Sequence, residues 1–313
     1  SLEKMNEIEE IDQKSRTVTV QSGVILENLI NSVSEKDLLL PLNFGAKGSA
    51  HIGGAISTNA GGLRVLKYGM VRQMILGLEV VLPDGRIVSS LKKIIKDNSG
   101  YDLKQFFIGS EGTLGIVTKA VLKLIEAPST RHSAILGVND YESVIDLLKT
   151  LEKGLGGTLS AFELMWGNIY RTMIKKSTSL ISPIDQNYDY YVFVETLGSN
   201  KNQDLSLLQN LIEKALEDNI VIDGSLAETE KELNNLWQIR EDVSILDSNA
   251  NHAQHFDISI PIPLIGKIVD SINDNLKKLS FVKNIYIWGH VADGNIHFIV
   301  GKEKNSDEII KKV

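Results

Sequence analysis

Cysteine is absent from this 313-residue chain. That absence excludes disulfides, Cys-ligated zinc, iron–sulfur clusters, a thiol nucleophile and a cysteinyl flavin link together. Positive charge is in deficit: 33 Lys and Arg stand against 40 Asp and Glu, for a formal net charge of -7. Phosphate contacts need clustered Lys and Arg, so no nucleic-acid partner is expected. No apolar run reaches transmembrane length, and the acidic opening SLEKMNEIEEID is unlike a signal peptide, which predicts a soluble chain with no transmembrane segment. What is present is an ordinary globular composition, 42% hydrophobic and 23% charged. The length suits one large domain or two of ordinary size.

Glycine clusters divide the chain into two styles. Thr17 to Val20 alternates as a strand, and Gly23 to Asp37 has the spacing of a helix with an apolar face at Val24, Leu26, Leu29, Ile30 and Val33. Leu76–Val81, a turn at Asp84-Gly85 and Ile87-Val88 read as a hairpin. After Pro128 strands and helices alternate without glycine clusters. Strands are expected at Ser133–Val138, Ser160–Met165, Tyr190–Glu195, His255–Ile260, Asn284–Trp288 and Asn295–Val300. Helices are expected at Tyr141–Lys153, 202–217, Glu228–Asp247 and Pro263–Lys278. Two successive βαβ-like units predict an α+β domain, with helices on one face of its sheet. The boundary therefore falls between domains 1–127 and 128–313.

The segment GAKGSAHIGGAISTNAGG, residues 45–62, is the most informative. Glycines let backbone amides take positive φ and form an anion nest, and Ser49, Ser57, Thr58 and Asn59 add short donors beside them. The segment is neither a P-loop nor GxGxxG. In GHVADGNIH, a two-residue Asp293-Gly294 turn would set His290 directly opposite His297. Their Cβ atoms would then stand roughly 4.5–5.5 Å apart, close enough for two imidazoles to share one metal ion. Arg240, on the expected helix through LWQIRE, offers a planar fork for a carboxylate, with Ser244 four residues later on the same helical face.

The glycine segment, then NAGGLRVLKYG, LGLEVVLPDG and KDNSGYDLKQFFIGSEGTLGIVTKAVLKL, resembles the FAD-binding domain of flavin-dependent D-2-hydroxyacid dehydrogenases of the vanillyl-alcohol-oxidase fold. SAFELM, VETLGSN, LWQIRE, HFDISIPIP and GHVADGNIH continue the resemblance in order, across nearly the whole chain. The branch it resembles most is D-2-hydroxyglutarate dehydrogenase, with D-lactate and glycolate dehydrogenases as neighbours. The implied fold is part of a PCMH-type FAD-binding domain followed by a helix-covered antiparallel-sheet substrate, or cap, domain.

The resemblance implies FAD contacts at Gly45, Gly48, Ser49, Gly53, Gly54, Asn59 and Ala60, with Gly115 and Ile116 toward the adenine. His51 and Thr58 would line the cofactor site, and Asn295 would join it. FAD would be held non-covalently. His290 and His297 would hold a divalent metal, zinc first, beside the substrate hydroxyl, and Arg240, Ser244 and His255 would contact substrate. His255 stands where the hydroxyglutarate branch has a lysine, Ile299 where it has a polar residue and Ala292 where it has glycine.

The implied reaction is oxidation of a D-2-hydroxy acid, D-2-hydroxyglutarate first, with hydride passing to flavin N5. Electrons would leave to an electron-transfer flavoprotein, a quinone or a cytochrome; a homodimer is left open. Relatives are mitochondrial in eukaryotes and cytoplasmic in bacteria. The alternatives are a D-lactate or glycolate dehydrogenase and a non-catalytic flavin-binding relative. The family pattern starts before Ser1 and runs past Val313 to a Glu-His-Gly motif that supplies the last metal ligand and the general base. The chain is thus expected to be a piece of a longer enzyme, binding FAD weakly by itself.

Overall fold

Alternating Val and Thr residues start the first sheet. The computed structural model describes residues 2–304 and Lys311, and the chain divides into two units, Ser1–Pro128 and Ser129–Val313. In the first, the elements run β1 (Ile8–Asp12), β2 (Thr17–Gln21), α1 (Leu26–Ser34), β3 (Leu38–Leu39), α2 (Ile52–Ser57), α3 (Val65–Tyr68) and α4 (Val71–Met74). They continue with β4 (Ile75–Val81), β5 (Ile87–Ser90), α5 (Lys104–Phe107), β6 (Ile116–Lys123) and β7 (Ile125–Glu126). Five strands form an antiparallel sheet in the order β1-β2-β6-β4-β5.

The core of this unit joins Val18 and Val20 of β2 to the α1 stripe Leu26, Leu29 and Val33, all of them fully buried. Burying each Leu of such a stripe is worth roughly 1.5–3 kcal/mol. β1 escapes the sequence pattern because it is an edge strand held partly by charge: Glu9 pairs with Lys119 at 2.7 Å and Glu10 with Lys93 at 2.6 Å. The β4–β5 turn forms as expected, with Gly85 at φ 86° and the Arg86 amide donating to Asp84 Oδ1 at 3.0 Å.

The second unit contains β8 (Thr130–Val138), α6 (Tyr141–Gly154), β9 (Leu159–Trp166), α7 (Gly167–Lys176), β10 (Tyr190–Gly198), α8 (Asp204–Glu217), β11 (Asp223–Leu226) and α9 (Glu230–Glu241). It ends with α10 (Ser244–Asn249), β12 (Gln254–Ser259), α11 (Ile265–Lys277), β13 (Val282–His290) and β14 (Asn295–Lys302). The seven-stranded sheet has the order β11-β8-β10-β9-β13-β14-β12, and every adjacent pair is antiparallel. β8 and β9 run the same way on either side of β10, which is the split βαβ arrangement.

Helices cover both faces of this sheet, not the one face expected. Tyr191 and Val192 are neighbours on β10, so they point to opposite faces, yet both are fully buried. On the Tyr191 face, Met165, Phe193 and Trp288 pack with Tyr170 and Met173 of α7 and Leu236 and Ile239 of α9. On the other, Leu136 lies beside Ile212 of α8, both crowding the space over Gly224. The sequence reading missed α7, which begins after Trp166 with no side-chain cap.

Candidate active site

A row of polar side chains crosses the Tyr191 face of the second sheet, where apolar residues would otherwise be expected. Met165 pairs with Trp288, Trp288 with His297 and His297 with Asp257. Stepping two residues along each strand keeps the face, and sets Glu163 beside His290 and His290 opposite Asn295. Strand period alone thus gathers Glu163, His290, Asn295, His297 and Asp257 on one surface.

The histidine hairpin differs in register from the two-residue turn. His290 pairs with Asn295, and the chain turns through Val291–Gly294, with a 3-10 turn over Val291–Asp293 and Gly294 left-handed at φ 83°. The reason is local: the Asn295 amide donates to Asp293 Oδ1 at 3.0 Å and the Gly294 amide to the His290 carbonyl at 3.0 Å, which closes a four-residue loop. His290 and His297 are therefore diagonal neighbours. Diagonal pairs on one face remain within reach of large side chains, and the two rings stand 5.1 Å apart, centroid to centroid, at 86°.

Each imidazole faces a carboxylate at Nδ1, and for His290 the contact is a hydrogen bond. His290 Nδ1 lies 2.5 Å from Glu163 Oε1, and His297 Nδ1 lies 3.2 Å from Asp257 Oδ2. Burial, with His290 and Arg240 beside it, drives the His297 pKa down to about 4, so this ring is neutral at physiological pH. A neutral imidazole bonded to a carboxylate through Nδ1–H keeps Nε2 as its lone-pair nitrogen.

Glu163 also receives Arg240 of α9. The guanidinium Nε donates to Oε2 at 2.9 Å and Nη2 lies 2.7 Å from the same oxygen, and the Glu163 and Arg240 side chains are only 1% and 6% exposed. Burial opposes ionising Glu163, but the charges of His290 and Arg240 outweigh it and hold the carboxyl below its ordinary value. Glu163 is thus an acceptor-only carboxylate with both oxygens engaged. The resemblance carried by SAFELM does not mark Glu163 as a site residue. The available signal was one acid inside an otherwise apolar strand.

The expected single helix Glu228–Asp247 breaks. A capping box between Thr229 and Glu232 starts α9, but Asp242 leaves the helical region at ψ 63° and a separate α10 begins at Ser244. Ser244 therefore does not share a helical face with Arg240, and its hydroxyl donates to Asp242 Oδ1 at 2.5 Å. His255 is on the same sheet face as His297, two residues from Asp257 on the edge strand β12. It is 57% exposed and its Nε2 lies 3.0 Å from Asp247 Oδ1. The Asn295 side-chain Nδ2 donates to Asp257 Oδ1.

In the first unit the glycine segment is built differently from a positive-φ nest. Residues 45–48 form a 3-10 turn and 52–57 form α2; within 45–62 only Asn59 has positive φ, at 49°. Gly45, Gly48, Ser49, Gly54 and Thr58 are exposed, and a Cβ on Gly45 or Gly54 would meet nothing within 4 Å. That open backbone fits a group lying close against it. Gly53 and Gly115 have packing reasons instead, since a Cβ would come within 2.7 Å of Ser22 Cβ and of Val80 Cγ1 respectively.

Thr58 Oγ1 donates back to the Gly54 carbonyl at 3.0 Å, and Asn59 Oδ1 accepts the Arg72 amide at 3.0 Å. The Ala60 carbonyl accepts the Val71 amide at 3.0 Å, and Ile116 is 48% exposed at the start of β6. His51 lines a separate cavity of about 520 Å³ with Ile25 and Asn28.

For a metal, the described residues supply a pair of imidazoles. Among the described residues no group of three or more His, Asp or Glu could hold a metal ion. Two imidazoles that each face a carboxylate at Nδ1 fit a divalent cation as part of its ligand set. Also among the described residues, no helix is long and apolar enough to cross a membrane.

Comparison with known proteins agrees with this architecture. The family of FAD linked oxidases, C-terminal domain, matches residues 127–313, and an FAD binding domain family matches residues 1–90. The chain belongs to the FAD-linked oxidases. Mitochondrial D-2-hydroxyglutarate dehydrogenase of Danio rerio is 39% identical to 97% of this chain, and that of Rattus norvegicus is 38% identical to 98%. A mitochondrial Schizosaccharomyces pombe protein, provisionally named a D-lactate dehydrogenase, is 41% identical to 94% of it. The chain spans 56–57% of the length of these three relatives.

Two solved structures share the fold. Alkyldihydroxyacetonephosphate synthase superposes with a TM-score of 0.74 at 16% identity, over 99% of this chain and 61% of its own. p-Cresol methylhydroxylase does so with 0.71 at 15% identity, over 99% of this chain and 67% of its own.

Proposed function

We propose that this chain is part of an FAD-dependent dehydrogenase that oxidises a D-2-hydroxy acid to the 2-oxo acid, with D-2-hydroxyglutarate as the first substrate. The observation that carries the reading is the buried Arg240–Glu163–His290 array beside neutral His297, found in a chain of the FAD-linked oxidases. Residues 1–127 are assigned to cofactor binding and 128–313 to substrate. The exposed backbone at Gly45, Gly48, Ser49 and Gly54 is assigned to FAD, with His51, Gly53, Thr58, Asn59, Ala60, Gly115, Ile116 and Asn295 in supporting places.

The chemistry divides between what is bound and what the chain does. FAD, when bound, would supply the hydride acceptor, and a divalent cation held by His290 and His297 would stabilise negative charge developing on the substrate oxygen. Arg240 anchors the substrate carboxylate through the part of its guanidinium that Glu163 leaves free: among the described residues, Nη1 has no acceptor. The carboxylates facing Nδ1 of His290 and His297 favour, in the neutral ring, the tautomer that leaves Nε2 free to bind. Ser244 and His255 are assigned to the outer end of the substrate site. Electrons then pass to a separate acceptor.

A monocarboxylate substrate such as D-lactate is the second reading. It is favoured by His255, which is already engaged with Asp247, and by fully buried Ile299, neither of which adds a fixed cation for a second carboxylate. The test is anaerobic addition of each D-2-hydroxy acid to the FAD-loaded protein, followed by visible absorption. Bleaching by D-2-hydroxyglutarate with a higher kcat/KM than by D-lactate is expected. A retained flavin that no D-2-hydroxy acid reduces overturns the dehydrogenase reading.

A further inference from the structure

Among the described residues, Glu163 is the one side chain that touches both the arginine and a histidine of the array, and its two oxygens are divided between them. Oε2 accepts the Arg240 Nε bond at 2.9 Å and pairs with Nη2 at 2.7 Å, and Oε1 faces His290 Nδ1 at 2.5 Å. Arg240 can only donate, and an ionised carboxylate can only accept. The bond to His290 therefore requires a proton on Nδ1, and in the neutral ring that leaves Nε2 as the lone-pair nitrogen.

We propose that Glu163 is a positioning residue that locks His290 in the Nδ1–H tautomer while occupying the Nε and Nη2 edge of Arg240. Two consequences follow, and both rest on the dehydrogenase reading above. His290 presents Nε2 to whatever binds beside His297. Arg240 meets a substrate carboxylate through the Nη1 side, not with the bidentate Nε–Nη2 fork, because that fork is spent on Glu163. One buried carboxylate thereby sets the orientation of an anchor for the acid group and of a nitrogen for the hydroxyl oxygen.

The geometry makes an unusual demand on the near-isosteric variant Glu163→Gln. An amide has one acceptor oxygen and one donor nitrogen. The donor-only Arg240 claims the oxygen, so the NH₂ group turns toward His290 Nδ1. That nitrogen must now accept, and the imidazole proton moves to Nε2. The variant is expected to reverse the tautomer without changing the size of the side chain.

The experiment is a long-range ¹⁵N–¹H correlation spectrum of the imidazoles in the full chain, at about pH 8, above the ordinary histidine pKa of roughly 6.5. The wild-type protein is expected to show His290 protonated at Nδ1, and Glu163→Gln to show it protonated at Nε2. A wild-type His290 protonated at Nε2 overturns the proposal even if the variant fails to fold. A folded variant that keeps the Nδ1–H tautomer overturns it as well.

Cobalt(II) titration, read by its visible absorption, gives a second readout on the same proteins. Loss of a residue that orients a metal-binding histidine weakens affinity about 10–100-fold, and a drop in that range is expected for Glu163→Gln. An unchanged cobalt(II) affinity in the folded variant counts against the positioning role. Failure of the wild-type protein to bind cobalt(II) counts against the metal-assisted dehydrogenase reading, and the tautomer result still decides the role of Glu163.

Discussion

His290 and His297 sit diagonally across a four-residue hairpin loop, their ring centroids 5.1 Å apart and their planes nearly perpendicular. The diagonal matters because it leaves each ring its own carboxylate: Glu163 from β9 for one and Asp257 from β12 for the other. Directly opposed rings would share one pair of strand neighbours. Here the array spreads over four adjacent strands, and it is tied to a helix by Arg240.

Removing the cation from that array should be costly. Arg240→Met leaves Glu163 buried with no arginine partner, and breaking a buried pair from one side costs about 3–5 kcal/mol. Urea unfolding of the variant beside the wild-type chain measures it. A loss below about 1 kcal/mol would show that His290 alone suffices for the carboxylate.

Histidine replacement should act on chemistry more than on stability. His290→Ala and His297→Ala are each expected to slow flavin reduction by a D-2-hydroxy acid by on the order of 10²-fold or more, the scale of losing one group that stabilises developing charge. Prior treatment of the wild-type protein with a chelator should produce a similar loss, restored by added zinc. Full activity after chelation would remove the metal from the mechanism.

The N-terminus of α9, the helix that delivers Arg240, makes a pH-dependent contribution. Hydrogen bonds from the Glu228 and Thr229 amides lower the Glu232 pKa below its ordinary 4.5. A depressed folded pKa means that the contribution is complete above the unfolded value and fades as pH falls through the folded one. The stability gap between wild type and Glu232→Gln should therefore be constant above about pH 5 and close at lower pH. Thr229→Ala, which removes the reciprocal half of the box, should cost ~1 kcal/mol at neutral pH. A gap that widens on acidification would contradict the assignment.

Gly289 is the close-approach point of the hairpin. A Cβ there would lie 2.3 Å from the Asn295 carbonyl oxygen and 2.9 Å from Ile296 Cα, which are backbone atoms with nowhere to go. Gly289→Ala should cost about 1–3 kcal/mol as overpacking and shift the His290 and His297 ring resonances together. Unchanged histidine resonances would mean that the strand absorbs the methyl elsewhere.

Much of the fold was legible because hydrophobic period carries it. The α1 stripe at Leu26, Leu29 and Val33, the β4–β5 hairpin at Asp84-Gly85 and the strand at Ser160–Met165 all follow from spacing and turn chemistry. What escaped had weak local signals. β1 is an acidic edge strand, α7 starts without a cap, and the break after Glu241 depends on how Asp242 and Val243 pack, not on a Gly or Pro. The one-face covering failed for a related reason: strands buried on both sides, such as Tyr190–Gly198, lose the alternation that marks an exposed face.

The sequence by itself determined which residues are candidates for the chemistry: the glycine segment, His290 and His297 stand out by kind and spacing, and Arg240 through the family resemblance of LWQIRE. Only the tertiary structure decided how they are wired. Glu163 lies 77 residues from Arg240 and 127 from His290 along the chain, and nothing local joins them. They meet because strand order places β9 beside β13 while α9 covers the same face, and a buried carboxylate is stable only where cations converge on it.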